Sequence, residues 1–167
     1  MRILILCYNF PPDISAGAFR MEAFVKEIDK RLADKADIDL LTTTPNRYAN
    51  YEPDDDPAFF SKKINLHRCL IESQKKGFLN QIYCFMKYFF FVNRFIRNSK
   101  KYDLVFATSS KLMTGFLGAI VSQKSKSRYF LDIRDIFSET IEDIFSKKIS
   151  IFLLPIINLI ENYTMSK

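Results

Sequence analysis

The chain has no tryptophan, one histidine, three cysteines and four glycines among its 167 residues, and each scarcity removes a class of chemistry. No Ser/His/Asp constellation can be read around the single His67, which reads as structural or as a minor acid–base candidate. Cys7, Cys69 and Cys84 are odd in number, scattered, and form no CxxC pair, which argues against a zinc site or a disulfide framework. Each lies in an apolar run, where a reduced, buried thiol is the default. One glycine after the first strand is too few for the GxGxxG dinucleotide fingerprint, so NAD-type binding is disfavoured. The start MRILIL is followed at once by polar residues and prolines, without a small-residue cleavage site, and is not expected to be a signal peptide. With no paired cysteines either, a cytoplasmic setting is expected.

What is present is phenylalanine and localised charge. Seventeen Phe imply a bulky core, a sticky surface, or both. Residues 61–101 hold ten Lys and Arg against Glu72 alone, so this stretch carries +9 of a total of +6 and the remainder carries −3. A positive zone interleaved with aromatics suits an anionic partner, or else is a solvated basic face. No nucleic-acid reading motif accompanies it, so nucleic acid is not expected as a partner.

Apolar runs and helical periodicity alternate along the chain. Ile3–Cys7, Ile38–Thr43, Ile64–Ile71, Asp103–Thr108 and Arg128–Ile133 read as strands. Helices are expected from about Ser15, with Phe19, Ala23, Phe24, Val25, Ile28 and Leu32 as the buried face, then over 78–98, 112–121, 137–145 and 149–163. Asp54-Asp55-Asp56 falls in a proline-flanked connection and reads as solvated charge. The alternation predicts a doubly wound α/β domain, a mainly parallel sheet with helices on both faces.

Ligands of such sheets bind beyond the carboxyl ends of the strands, where three segments fall. After strand one, Gly17 permits close backbone approach at a helix start, and Arg20 lies one turn in; together they could meet a phosphate, or form an ordinary helix N-terminus. After strand four, the hydroxyls of Thr108, Ser109 and Ser110 are expected to cap the next helix, with a sugar or phosphate contact as the lesser alternative. After strand five, Arg134 could bind phosphate bidentately and Asp135 could accept a proton; a structural Arg–Asp pair is the alternative.

Residues 78–98 are apolar almost all round, with Asn80, Lys87 and Arg94 recurring every seven residues. Lys87 and the flanking Arg97 interrupt what would have to be about twenty apolar residues for a membrane span. An interfacial helix is expected instead, with Lys87, Phe90, Arg94 and Arg97 as membrane-contact residues; packing against another domain is the alternative.

Taken together, RILILCYNFPPDISAGAFRMEAFVKEI, YDLVFATSS and YFLDIRDIFSETI resemble the first strand–loop–helix, the fourth strand and the "DxRDxxPE" segment of family 4 glycosyltransferases of the GT-B fold. The likeness is closest to bacterial enzymes of O-antigen and capsule synthesis, including fucosamine transferases. Two positions depart from the pattern: Ala16 stands in the usual glycine pair, and Ser138 replaces the usual proline. The resemblance implies a Rossmann-like amino-terminal, acceptor-side domain spanning 1–167. A nucleotide-sugar domain with an E-x7-E motif would complete it, and none of that is in this chain. It implies a nucleotide-sugar donor, a lipid-linked or saccharide acceptor, no metal or cofactor, and an enzyme inactive as this half alone. By matching position, Gly17, Arg20, Ser109 and Arg134 would contact substrate and Asp135 would be the base, although the family often has a His-Asp pair there. The expected location is peripheral, on the anionic inner face of the cell membrane. The competing expectation is a non-catalytic membrane-binding subunit that recruits a separate catalytic chain.

Overall fold

A computed structural model describes residues 1–32, 35–45, 61–71, 78–109, 111–134 and 147–167. Among them are five strands, β1 (Arg2–Leu6), β2 (Asp37–Thr43), β3 (Ile64–Cys69), β4 (Leu104–Thr108) and β5 (Arg128–Asp132). Four helices accompany them: α1 (Ala16–Leu32), α2 (Phe78–Arg97), α3 (Leu112–Ser125) and α4 (Lys147–Met165). The strands form one all-parallel sheet in the order β3-β2-β1-β4-β5. This is the doubly wound, Rossmann-like α/β arrangement. The order reverses between β1 and β4, which makes their carboxyl ends the natural place for a ligand crevice.

Period-two alternation divides the core into two. Ile3, Ile5 and Cys7 join Ile38, Leu40 and Phe106 beneath Met21 and Val25 of α1. Leu4, Leu6 and Tyr8 join Leu41, Val105 and Ala107 beneath Cys84, Tyr88 and Val92 of α2 and Leu117 and Val121 of α3. Each fully buried Leu, Ile or Phe contributes about 1.5–3 kcal/mol of transfer free energy, so both faces of the sheet are firmly held. The Tyr88 hydroxyl reaches the carbonyl of Leu41 at 2.8 Å and that of Cys7 at 3.3 Å, which ties α2 to the ends of β1 and β2.

The buried stripe of α1 is Ala18, Met21 and Val25, with Phe24, Ile28 and Leu32 half-buried beside it. Phe19 and Ala23 are exposed, contrary to the expected face. A helix turns about 100° per residue, so moving the stripe to positions 18, 21 and 25 rotates 19 and 23 off the sheet.

α3 carries two glycines where it crosses the sheet. A Cβ on Gly118 would sit 2.6 Å from Ala107 Cβ and 3.0 Å from Tyr129 Cε2, so the helix approaches β4 more closely than a side chain there would allow. α4 packs on α3, with Tyr163 edge-on to Phe116 at 5.5 Å and Thr164 beside Gly115. The expected helix over 137–145 and the Asp54-Asp55-Asp56 run lie outside the described residues.

Candidate functional site

The segment after β1 lies across the switch point of the sheet. Tyr8 and Phe10 are buried beneath it, and the Pro11–Pro12 peptide is cis. The Asp13 N–H donates to the Phe10 carbonyl at 3.1 Å, closing a turn. Ser15 then caps α1, its Oγ accepting the Ala18 N–H at 3.1 Å and lying 3.4 Å from Asn9 Nδ2. Arg68, at the far end of β3, donates from its guanidinium to the carbonyls of Thr43 and Pro11. The loop is therefore anchored from a residue distant in sequence. Gly17 occupies the first turn of α1, where the amides have no intrahelical acceptor.

Arg20 projects from that same turn to the end of β5. Its Nη2 lies 2.6 Å from Asp132 Oδ1, with Arg20 57% exposed and Asp132 15% exposed. Ser109 is buried at the end of β4, where its N–H donates to the Asp132 carbonyl at 2.9 Å and its Oγ accepts the Arg134 N–H at 2.7 Å. The expectation that Ser109 caps the following helix is thus not met. The residue preceding α3 is Lys111, in extended conformation and without a side-chain cap, because the Ser109 hydroxyl is turned across the sheet to hold the chain leaving β5.

No carboxylate among the described residues pairs with the Arg134 guanidinium. The structure thus brings Gly17, Arg20, Ser109 and Arg134 to one edge of the sheet, with Lys111 over the Tyr8 ring at 5.9 Å on the same edge. Arg134, which no described carboxylate engages, suits a phosphate-bearing ligand. Asp135, the residue expected to act as base, lies outside the described residues, as does Ser110.

Of the residues expected to meet a membrane, Phe90, Arg94 and Arg97 are exposed on α2, and Lys87 is half-buried at its side. Phe90 is 62% exposed, and Ile82, Tyr83 and Met86 are exposed beside it. Lys87 lies with Nζ 5.0 Å from the Tyr83 ring centroid, and Arg94 and Arg97 are exposed further along. No helix among the described residues is long and apolar enough to cross a membrane.

The three cysteines are buried free thiols. Burial pushes the Cys7 thiol up to about 12 and raises Cys69 as well, which removes both as nucleophiles near neutral pH.

Sequence reasoning missed two roles. One is Arg68, whose guanidinium ties the loop after β1 to the end of β2. The other is Asp39, a buried carboxylate within β2 that accepts from Arg2 Nη2 at 2.9 Å, the Tyr102 hydroxyl at 2.7 Å and Asn65 Nδ2 at 3.1 Å. His67 Nε2 lies 3.6 Å from the same carboxylate, with its ring on Phe95 at 4.4 Å. An acid at an inward position between Ile38 and Leu40 is itself a signal, since a buried carboxylate must find partners.

No known protein-family model matches the chain, and no curated protein matches it.

Proposed function

We propose that this chain is the acceptor-side half of a glycosyltransferase that moves a sugar from a nucleotide sugar to a lipid-linked or saccharide acceptor in cell-surface polysaccharide synthesis. The observation that carries the reading is the convergence of Arg20, Ser109 and Arg134 at the switch point, with the Arg134 guanidinium not engaged by any described carboxylate. The resemblance of the three segments supports it independently of that geometry. In this reading Arg134 and the Gly17 N–H at the start of α1 hold phosphate oxygens of the donor. Asp135 takes the proton of the acceptor hydroxyl as its oxygen bonds to the anomeric carbon, and the bond from that carbon to the phosphate oxygen breaks. Electrostatic stabilisation of the departing diphosphate is the larger contribution expected of the arginines. The test is transfer from a panel of nucleotide sugars to a membrane lipid extract by the whole gene product. Loss of transfer in Arg134→Ala with the fold retained supports the reading, and unchanged transfer counts against it.

A second reading, a membrane-binding subunit, is favoured by the exposed Ile82, Tyr83, Met86 and Phe90 beside Lys87, Arg94 and Arg97. An apolar strip with cationic flanks suits the interface of an anionic bilayer. Co-sedimentation with phosphatidylglycerol vesicles, abolished by combined Gln substitutions at Lys87, Arg94 and Arg97, would support it; equal sedimentation of the triple variant would not.

A further inference from the structure

At the opposite end of the sheet, the starts of β4 and β5 and the last turn of α3 enclose an open groove of about 570 Å³. Its lining includes Lys101, Tyr102, Asp103, Ser125, Lys126 and Arg128. Three of these are cations, and no carboxylate among the described residues pairs with Lys101, Lys126 or Arg128. The one acid in the lining, Asp103, accepts the Arg2 backbone N–H on Oδ2 at 2.7 Å, and the cations outnumber it three to one. The groove wall is further fixed by the Arg128 N–H, which donates to the Asp103 carbonyl at 3.1 Å.

Lys126 adds an independent observation. It ends α3 at φ 54 and ψ 39, in the left-handed region, and is the one non-glycine residue among those described with a positive φ. Helices that end this way place glycine there, because a Cβ is strained in that conformation. Here the strained position carries a lysine, set in the wall of the groove. Gathering three like charges in a concavity raises the local potential and opposes folding by repulsion, and a bound anion offsets both. The turn is closed by the Lys126 and Ser127 N–H groups on the carbonyls of Gln123 and Ser122, which holds Lys126 at the groove wall.

We propose that this groove binds a phosphate group, held by Lys101, Lys126 and Arg128, at the end of the sheet remote from the switch point. Phosphate presented by a soluble phosphomonoester and phosphate presented by a lipid headgroup share this chemistry. The site does not depend on the glycosyl-transfer reading.

The test follows backbone amides of the full chain by nuclear magnetic resonance. Inorganic phosphate is titrated against chloride of equal ionic strength, and phosphatidylcholine vesicles are added with and without phosphatidylglycerol. Saturable phosphate-dependent shifts are expected at Lys101, Lys126 and Arg128. Lys126→Gly is expected to raise the melting temperature by about 2–4 °C, by removing the strain, while weakening phosphate binding about tenfold. Arg128→Gln is expected to weaken it similarly. Phosphate shifts without a vesicle response assign a soluble ligand, whereas a phosphatidylglycerol response lost in both variants assigns a headgroup. Absence of saturable shifts at these amides with either probe, or binding by both variants equal to the parent, overturns the proposal.

Discussion

Arg20 and Asp132 are 112 residues apart in the chain and 2.6 Å apart in the fold, where their ion pair joins the first turn of α1 to the end of β5. The pair spans the sheet's switch point, so it fixes the positions of both segments expected to meet substrate. More than half of Arg20 remains exposed, and exposed pairs contribute little to stability. Arg20→Ala should therefore change the unfolding free energy by less than about 1 kcal/mol in urea titrations. A loss of several kcal/mol would make the pair a structural fastening.

The Asp39 cluster should behave in the opposite way. Its carboxylate is buried and receives Arg2, Tyr102 and Asn65. Removing it strands a partly buried guanidinium and two further donors. Asp39→Ala should cost about 3 kcal/mol, and Tyr102→Phe about 1–2 kcal/mol. Both should lower the urea midpoint without altering its slope.

Gly118→Ala sets helix propensity against packing. Alanine should favour α3 by about 1 kcal/mol. The new methyl, however, would meet Ala107 Cβ at 2.6 Å and Tyr129 at 3.0 Å, and the first of these belongs to a side chain that cannot swing away. Net destabilisation of about 1–3 kcal/mol is expected. Gly115→Ala meets the side-chain tips of Leu131 and Thr164 at 3.0 and 3.3 Å, with the Tyr129 hydroxyl at 3.8 Å, and should be tolerated better. A stabilised Gly118→Ala in thermal melts would contradict the close approach of α3.

Much of this was legible in sequence, for physical reasons that differ by element. β1 and β4 announce themselves because strands buried on both faces need unbroken apolar runs, whereas β2 carries Asp39 and is marked by its Ile38, Thr42 and Thr43. The length of α2 was equally clear. Its inward face was not, because apolar residues surround it and only packing selects Cys84, Tyr88 and Val92. On α1 the error of phase at Phe19 and Ala23 has the same origin. Arg20, Ser109 and Arg134 stood out as candidates from their places after strands. That Ser109 holds Arg134, and that Arg20 reaches Asp132, depends on strand order, which spacing along the chain does not reveal.

Stability should fall in alkaline solution. Burial, then the hydrogen bond to Asp39, pushes Tyr102 up to about 12, and burial pushes Cys7 to about 12 and raises Tyr88 and Tyr129. These groups ionise near their ordinary values of 9.0 and 10.0 in the unfolded chain but stay protonated in the folded one. Their contribution is thus complete below about pH 9 and is lost as pH rises towards 12, at up to about 1.4 kcal/mol per pH unit for each group. Urea titrations across that window should show a steady decline, and stability rising with pH there would contradict the burial of these groups.

The central claim is that the edge formed by the Pro11–Arg20 segment, Ser109 and Arg134 is one wall of a sugar-transfer cleft. It is tested most directly by sugar transfer from a panel of nucleotide sugars to membrane lipid acceptors, with the whole gene product as enzyme. The account predicts transfer by the parent and a loss of at least about tenfold in both Arg20→Ala and Arg134→Ala, with the fold intact by circular dichroism. Absence of transfer from every donor, or full activity in both variants, would contradict it.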